Sequence, residues 1–415
     1  MSLDEHDIYL VGGAVRDQLL GLPVKDRDYV VVGATPEEMA EAGFLPVGKD
    51  FPVFLHPESK DEYALARTER KTAKGYHGFA FNTSAEVTLE DDLARRDLTI
   101  NAMAMTADGQ LVDPYGGQQD IENKQLRHVS PAFAEDPVRV LRVARFMSRL
   151  AHLGFSVHPD TLQLMRQLVN DGEIEALVAE RVWQEIKSSL NQETPSAFFE
   201  TLRACGALRI ILPEIDCLYG IPQTKMWHPE VDTGIHAMLA IDQAKNLDND
   251  VAFAVMVHDL GKGITPQEVL PSHRGHEAAG VPLVKAVCRR FKVPNHYKKL
   301  AVLVCRWHLL AHTVMELKPE TVEKLFARLD GYRQPKLVEK FIQACQADAT
   351  GRWGEAFKRY PQANYLRNLF KAARNVDKQP LFAAGLQGRE LGDAIRQLRV
   401  TAIQSKKQQL ITSTS

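Results

Sequence analysis

The sequence contains no apolar run near the roughly 18 residues that a bilayer-spanning helix needs, and Met1 to Asp7 is acidic rather than a basic leader. The expectation is a cytoplasmic chain with no membrane insertion. Cysteine is scarce: Cys205, Cys217, Cys288, Cys305 and Cys345 form an odd count of five without a CxxC pair. A disulfide framework and a cysteine zinc site are thereby excluded, and the thiols are expected to be reduced and buried. Net charge is also nearly absent, 51 Lys and Arg against 53 Asp and Glu. Any nucleic-acid partner must therefore be held by local patches. There is no fixed-period repeat and no low-complexity segment, and the 415 residues, 45% apolar and 25% charged, suit a folded chain of several domains.

Local patches are present. From Lys124 to Arg149 six cations face only Glu135 and Asp136, and from Arg352 onward twelve cations face four acids. Either patch could be a solvated helix face, and either could track a phosphate backbone.

The first third alternates short β-rich runs, Ile8 to Val11, Tyr29 to Val32 and Tyr63 to Ala66, with helical stretches. From about residue 137 apolar residues recur at three- and four-residue spacing (Val138, Leu141, Phe146, Leu150), which predicts helices almost throughout. Pro213, Pro222, Pro229 and Gly220 punctuate the stretch around 213–230 and predict a boundary there.

The run Ile8 to Val11 leads into Gly12-Gly13 and then Ala14-Val15-Arg16-Asp17, a strand, tight turn and helix start that aims backbone N–H groups at an anion. Asp26-Arg27-Asp28 follows, just before the second apolar run. On a strand, the period of two places Asp26 and Asp28 on one face, where hard oxygen ligands suit Mg²⁺. A lone DxD also describes solvated turn aspartates, so the order of the motifs carries more weight than either one.

Leu10-Val11-Gly12-Gly13-Ala14-Val15-Arg16-Asp17 followed by Asp26-Arg27-Asp28 resembles the signature of class II tRNA nucleotidyltransferases, the CCA-adding enzymes and bacterial poly(A) polymerases. Arg95-Arg96-Asp97-Leu98-Thr99-Ile100-Asn101-Ala102 resembles that family's ribose-and-phosphate motif, and Arg67 to Lys71 the run that opens its mobile loop. Glu135-Asp136-Pro137-Val138-Arg139 through Phe146 resembles its nucleotide-selecting motif. The resemblance implies a polymerase-β-like α/β head in which Asp26 and Asp28 carry Mg²⁺ and Gly13, Arg16 and Arg96 meet the nucleotide. It also implies that Asp136 and Arg139 read the base. An aspartate accepts from the exocyclic amine of cytosine or adenine and an arginine donates to a ring nitrogen, while uracil and guanine present a carbonyl oxygen to the carboxylate. Arg142 and Arg145 continue that helical face toward the triphosphate. Glu62, before Arg67, could be a third acidic group near the metals or a surface or structural glutamate, and it is left out of the expected site.

Further on, the apolar run Val251 to Val257 ends in His258-Asp259-Leu260-Gly261-Lys262, with His236 upstream and His273, His276, His308 and Asp348 downstream. Burying an unpartnered His-Asp pair is costly. The order resembles HD-superfamily phosphohydrolases, which implies His236, His258, Asp259 and Asp348 as metal ligands. Lys262, His276 and His308 then become phosphate-binding candidates. A mixed nitrogen and oxygen shell suits Ni²⁺, Mn²⁺, Co²⁺ or Mg²⁺.

A nucleotidyltransferase head followed by an HD domain is similar to the CCA-adding enzymes that also show 2′,3′-cyclic phosphodiesterase, 2′-nucleotidase and phosphatase activities. The resemblance implies tRNA, ATP and CTP as partners, a monomer or homodimer, and His258 and Asp259 as catalytic in the second site. The expected organisation is a head at 1–136, an all-α neck at 137–227, an HD domain at 228–350 and a basic helical tail at 351–415. Bacterial poly(A) polymerases share the head motifs but resemble a strongly basic protein without an intact HD set. The nitrogen-regulating uridylyltransferase lacks GGAVRD and is about twice as long. A non-catalytic RNA-binding module would need neither Asp26 and Asp28 in register nor His258-Asp259 with an upstream His.

Overall fold

The computed structural model describes residues 6–47, 53–71, 79–82, 84 and 86–412. The chain forms two compact units, Met1–Glu185 with Ala197–Ile211, and Ile186–Ser196 with Leu212–Ser415. Residues 137–227 contribute to both.

The first unit is built on a seven-stranded mixed sheet. Its strands are β1 (Asp7–Val11), β2 (Asp28–Val32), β3 (Leu45–Val47), β4 (Val53–Leu55) and β5 (Glu62–Leu65), then, after the separate hairpin β6 (Thr68–Lys71) and β7 (Phe79–Asn82), β8 (Ala104–Met105) and β9 (Leu111–Val112). The spatial order is β3-β4-β5-β2-β1-β8-β9. Successive side chains of β2 serve opposite faces: Val30 joins Val11, Leu93 and Ala104, while Val31 joins Met39, Phe54 and Leu65. Both faces are covered, which places the sheet in the middle of the unit. The loop that the Arg67 to Lys71 run would open corresponds to residues 72–78, which lie outside the described residues.

Two corrections arise here. β2 begins at Asp28, and Asp26 lies in the irregular, exposed segment before it, so strand periodicity does not govern Asp26. The ladder stops at the pair Val11↔Asp28 because the chain leaves β1 at Gly12, and Asp26 has no neighbouring strand to pair with. Four cysteines are buried as expected, but Cys217 is exposed.

The second unit is helical among the described residues apart from turns and an isolated bridge. Its centre is the helix Asn249–Val257, buried from Asp250 to Val257 and apolar on every side from Val251. Such a helix must be surrounded, and it packs against Thr233–Gln243, Asn295–His312 and Pro335–Thr350. Toward the C-terminus, Pro361–Arg374 packs on the 25-residue helix Gly388–Thr412, which also packs on Pro319–Arg328. Part of the tail's positive charge is engaged within the chain: Arg399 lies 3.4 Å over the Tyr332 ring, and the exposed Arg396 lies 3.4 Å from Glu323. Lys358, Arg359, Lys371, Arg374 and Arg389 are exposed. Among the described residues no helix is long and apolar enough to cross a membrane.

Candidate active sites

In the first unit, β1 turns at Gly12, whose φ of +67° favours glycine and whose absent Cβ would meet the Arg96 guanidinium at 2.7 Å. The helix Gly13–Leu19 then starts at once and carries Arg16, only 3% exposed. Its guanidinium donates to Asn101 Oδ1 at 2.6 Å and to Asp17 Oδ1 at 2.9 and 2.8 Å. Arg96 donates to Asp92 Oδ2 at 3.0 Å. These contacts fix two cations beside a cavity of about 620 Å³.

That cavity is lined by Gly13, Arg16, Asp28, Arg96, Asp136, Arg139, Arg142 and Arg145, all expected to meet nucleotide or metal. Asp26 is not among the lining residues, although its charge reaches Asp28. Desolvation in the cavity raises the Asp28 carboxyl, Arg96 lowers it, and Asp26 and Asp61 raise it again, for a net rise. Glu62 also lines the cavity, because the parallel register of β2 and β5 pairs Asp28 with Glu62. Glu62 is exposed, as one of its two readings had it, and it also stands in the cavity wall beside Asp28, where only the register brings it. Two carboxylates, Asp28 and Glu62, in the wall of one cavity fit a hard divalent cation.

The helix Val138–Leu150 buries Val138, Leu141 and Leu150 and turns Arg142, Arg145 and Arg149 to carboxylates. Arg142 Nε donates to Asp97 Oδ2 at 2.7 Å, Arg145 Nε to Glu185 Oε2 at 2.6 Å, and Arg149 Nη2 to Asp17 Oδ2 at 2.6 Å. The Arg145 and Arg16 guanidinium carbons lie 4.6 and 5.2 Å from the Phe146 ring centre. Just before this helix, Asp136 Oδ1 accepts the Val138 N–H at 3.1 Å, and its two oxygens accept from Arg181 at 3.2 and 2.7 Å. Arg139 donates to the Ala132 and Arg95 carbonyls at 3.0 and 2.5 Å. Asp136 and Arg139, the pair expected to read the base, are thus together in the cavity, held by partners that sequence reasoning missed. Nothing local marks Arg181.

The second unit gathers the HD residues. His236 and His258 are 0% and 1% exposed, and Asp259 and Asp348 are each 3% exposed. His236 Nε2 lies 3.0 Å from Asp348 Oδ1, and His258 Nε2 lies 3.2 Å from Asp259 Oδ2 and 3.6 Å from Asp348 Oδ1. Backbone carbonyls orient two of the rings: His258 Nδ1 meets the Val255 carbonyl at 2.7 Å, and His276 Nδ1 that of His273 at 2.7 Å. His276 Nε2 and His308 Nε2 come within 3.2 and 3.7 Å of Asp259 Oδ1. Gly261 makes this possible, because a Cβ there would sit 2.0 Å from the His276 carbonyl oxygen.

His236, His258 and Asp259 form one metal-capable triad, and Asp259, His276 and His308 form another, sharing the carboxylate of Asp259. His276 and His308, read from the sequence as phosphate-binding, are thus members of a metal-capable group, and Lys262 Nζ is 2.7 Å from Asp259 Oδ2. His258 Nε2 and Asp259 Oδ1 are buried without a hydrogen-bond partner. Burial opposes the charged form of His258, but Asp259 and Asp348 outweigh it and raise the imidazole to about 10. Orphaned donor atoms in a field that attracts positive charge fit a bound cation. Glu230 and His312 were missed. Glu230 Oε1 is 3.0 Å from His228 Nδ1, and His312 Nε2 is 2.7 Å from Asp348 Oδ2.

Comparison with known proteins bears on the whole chain, with family models matching within residues 8–218. Residues 8–127 match the poly A polymerase head domain, and 154–218 match a probable RNA and SrmB-binding site of polymerase A. The chain is 56% identical over 398 residues to the multifunctional CCA protein of Alkalilimnicola ehrlichii, covering 95% of this chain and 96% of that one. It is 56% identical over 402 residues to that of Hahella chejuensis, covering 96% and 95%. Among solved structures, the Bacillus stearothermophilus CCA-adding enzyme in complex with CTP matches at a TM-score of 0.65 and 22% identity, over 97% of this chain and 90% of that chain. The Thermotoga maritima CCA-adding enzyme complexed with tRNA matches at 0.62 and 18% identity, over 99% and 92%.

Proposed function

The chain belongs to the family of multifunctional CCA proteins, which are tRNA nucleotidyltransferases, and from that premise we propose how its two sites divide the work. The first unit adds C, C and A to the 3′ end of tRNA from CTP and ATP. The RNA 3′-hydroxyl attacks the α-phosphate, a new P–O bond forms, the bond to the β-phosphate breaks, and pyrophosphate leaves. The observation that carries this reading is one cavity holding Asp28 and Glu62 beside Arg16 and Arg96, together with Asp136 and Arg139. Asp26, Asp28 and Glu62 would hold Mg²⁺, which when bound neutralises phosphate charge. Arg16, Arg96, Arg142 and Arg145 bind and orient the triphosphate, and their anchoring carboxylates keep them preorganised. Asp136 and Arg139 select cytosine and adenine by their edges.

The test is incubation with a tRNA lacking its last three nucleotides and with an unstructured RNA, followed by sequencing of the 3′ ends. C, C and A on the tRNA alone is the expected product. Open-ended A tails on both RNAs would assign poly(A) polymerase instead.

The second unit acts as a metal-dependent hydrolase of 2′,3′-cyclic phosphates and 2′-phosphates, removing blocked ends that the first cannot extend. His236, His258, Asp259 and Asp348 would hold a divalent metal, with His276 and His308 completing a second position on Asp259. A bound metal would polarise the phosphate and activate water. The surrounding backbone carbonyls fix the imidazole rings. In this reading the head is 1–136, the neck 137–227, the HD domain 228–350 and the tail 351–415, with neck and tail cations tracking the tRNA backbone by shape.

A further inference from the structure

We infer that the cavity beside the HD residues is a nucleoside-binding subsite, in which Trp227 is the stacking surface for the base and Arg352 orients the phosphate at the metal ligands. This inference rests on the hydrolase reading and assigns the residues that let that site prefer a nucleotide to a bare phosphate ester.

The cavity is about 750 Å³ and includes His276 and His312 in its lining, so it is continuous with the ligand cluster. A phosphate group alone would leave most of it unfilled, whereas a nucleoside phosphate suits its size. Its other notable lining residues are aromatic. Trp227 is 61% exposed, a large apolar surface that folding alone gives no reason to leave in water, and Phe357 and Tyr360 line the same cavity. Every base presents a π-face, so an open indole is a sequence-tolerant platform for a terminal nucleotide.

Arg352 joins this aromatic wall to the metal ligands. It lies one turn beyond Asp348, its Nη1 donates to the Trp227 carbonyl at 3.1 Å, and its Nη2 is 3.7 Å from Asp348 Oδ1. Its side chain is only 13% exposed, and its Nε is buried without a hydrogen-bond partner. A guanidinium with a donor to spare, beside a carboxylate that binds metal, is placed to donate to a phosphate oxygen of the same substrate. Lys262, which lines the cavity with Arg274 and Arg359, is already engaged by Asp259 at 2.7 Å and by Gln223 at 2.9 Å. The charge complement is therefore a phosphate at the Arg352 end and an uncharged ring at the Trp227 end, the two parts of a nucleotide.

The experiment uses the full chain loaded with Ni²⁺ and two substrates, adenosine 2′,3′-cyclic phosphate and the base-less 1-O-methylribose 2′,3′-cyclic phosphate. Trp227→Ala is expected to reduce the ratio of their kcat/KM values about tenfold, mainly through KM for the nucleotide, and Trp227→Phe to restore most of it. Arg352→Gln is expected to reduce kcat/KM for both substrates, with Arg352→Lys recovering only part. A second arm reads binding without turnover. Calorimetry of adenosine 2′-monophosphate on the chelator-treated chain, with CTP saturating the other site, should show about tenfold weaker affinity in Trp227→Ala. The same titration with an RNA ending in a 2′-phosphate tells whether a free nucleotide or an RNA end is the better occupant. An unchanged substrate ratio together with unchanged affinity would overturn the inference. Failure of the wild-type chain to hydrolyse either substrate would sink the hydrolase reading, and the calorimetric arm would still decide the subsite.

Discussion

Asp136 and Arg181, 45 residues apart, form a two-pronged ion pair at 3.2 and 2.7 Å, with the carboxylate also capping the start of the Val138–Leu150 helix. The carboxylate assigned to read the base is therefore held in one orientation before any nucleotide arrives. Arg181→Ala should leave Asp136 free to rotate and lower selectivity for CTP over UTP about tenfold, the order expected for one misplaced polar contact. Single-turnover kinetics with each nucleotide would measure it, and an unaltered CTP to UTP ratio would show that Arg181 does not position Asp136.

Asp28 and Glu62 are cross-strand partners on the cavity face. Asp28→Asn should lower nucleotide addition by about a thousandfold or more while tRNA binding, read by filter retention, stays near wild type. Glu62→Gln should lose less, because it keeps the hydrogen-bonding shape and removes only one of the charges. Full activity in Asp28→Asn would remove this cavity from the chemistry.

The two sites should be separable. His258→Ala removes a buried nitrogen that has no hydrogen-bond partner and faces Asp259 and Asp348, so it should abolish cyclic phosphate hydrolysis and lower bound transition metal, measured by plasma mass spectrometry. Addition of CCA should continue. Loss of both activities together would mean that the variant had unfolded or that the sites are coupled.

Gly261 packs against the His276 helix so closely that an added Cβ would lie 2.0 Å from the His276 carbonyl oxygen. Gly261→Ala should push His276 away from Asp259. The expected outcome is weaker metal binding and a lower melting temperature, whereas wild-type values for both would show that the turn can shift without moving the ligand.

Asp97 illustrates a pH effect away from either metal set. Burial raises its carboxyl, but the Arg142 charge, hydrogen bonds from Asn101 and Arg142, and the Arg139 charge bring it well below the usual carboxylate range. A carboxylate depressed in the folded state stabilises that state above its unfolded value, about 4, and the stabilisation is lost as pH falls through the lower folded value. Denaturant unfolding from pH 6 down to pH 2 should show stability falling below about pH 4. Asp97→Asn should be less stable at pH 6 and have a shallower acid slope. Identical slopes in the two proteins would refute the assignment.

The parts of the site that were legible in the sequence are those whose geometry is local. The turn at Gly12-Gly13 and the approach of Arg16 follow from a strand running into a helix, and His258-Asp259 at the end of an all-apolar helix follows from what such a helix must bury. Periodicity likewise predicted β1, β2 and β5 within a residue or two. Strand periodicity failed at Asp26 because a residue is on a strand only where a neighbour supplies the ladder. Pairing decided by tertiary structure was invisible: Glu62 reaches Asp28 through parallel register, and His276 and His308 reach Asp259 through helix packing. Arg181 and Arg352 have no motif at all, since their roles are distances across the fold. The sequence by itself determined which chemical groups are present and which lie next to one another along the chain. Tertiary structure decided which of them share a cavity, because hydrogen bonds and charge pairs act over a few ångströms of space, however many residues of chain lie between the partners.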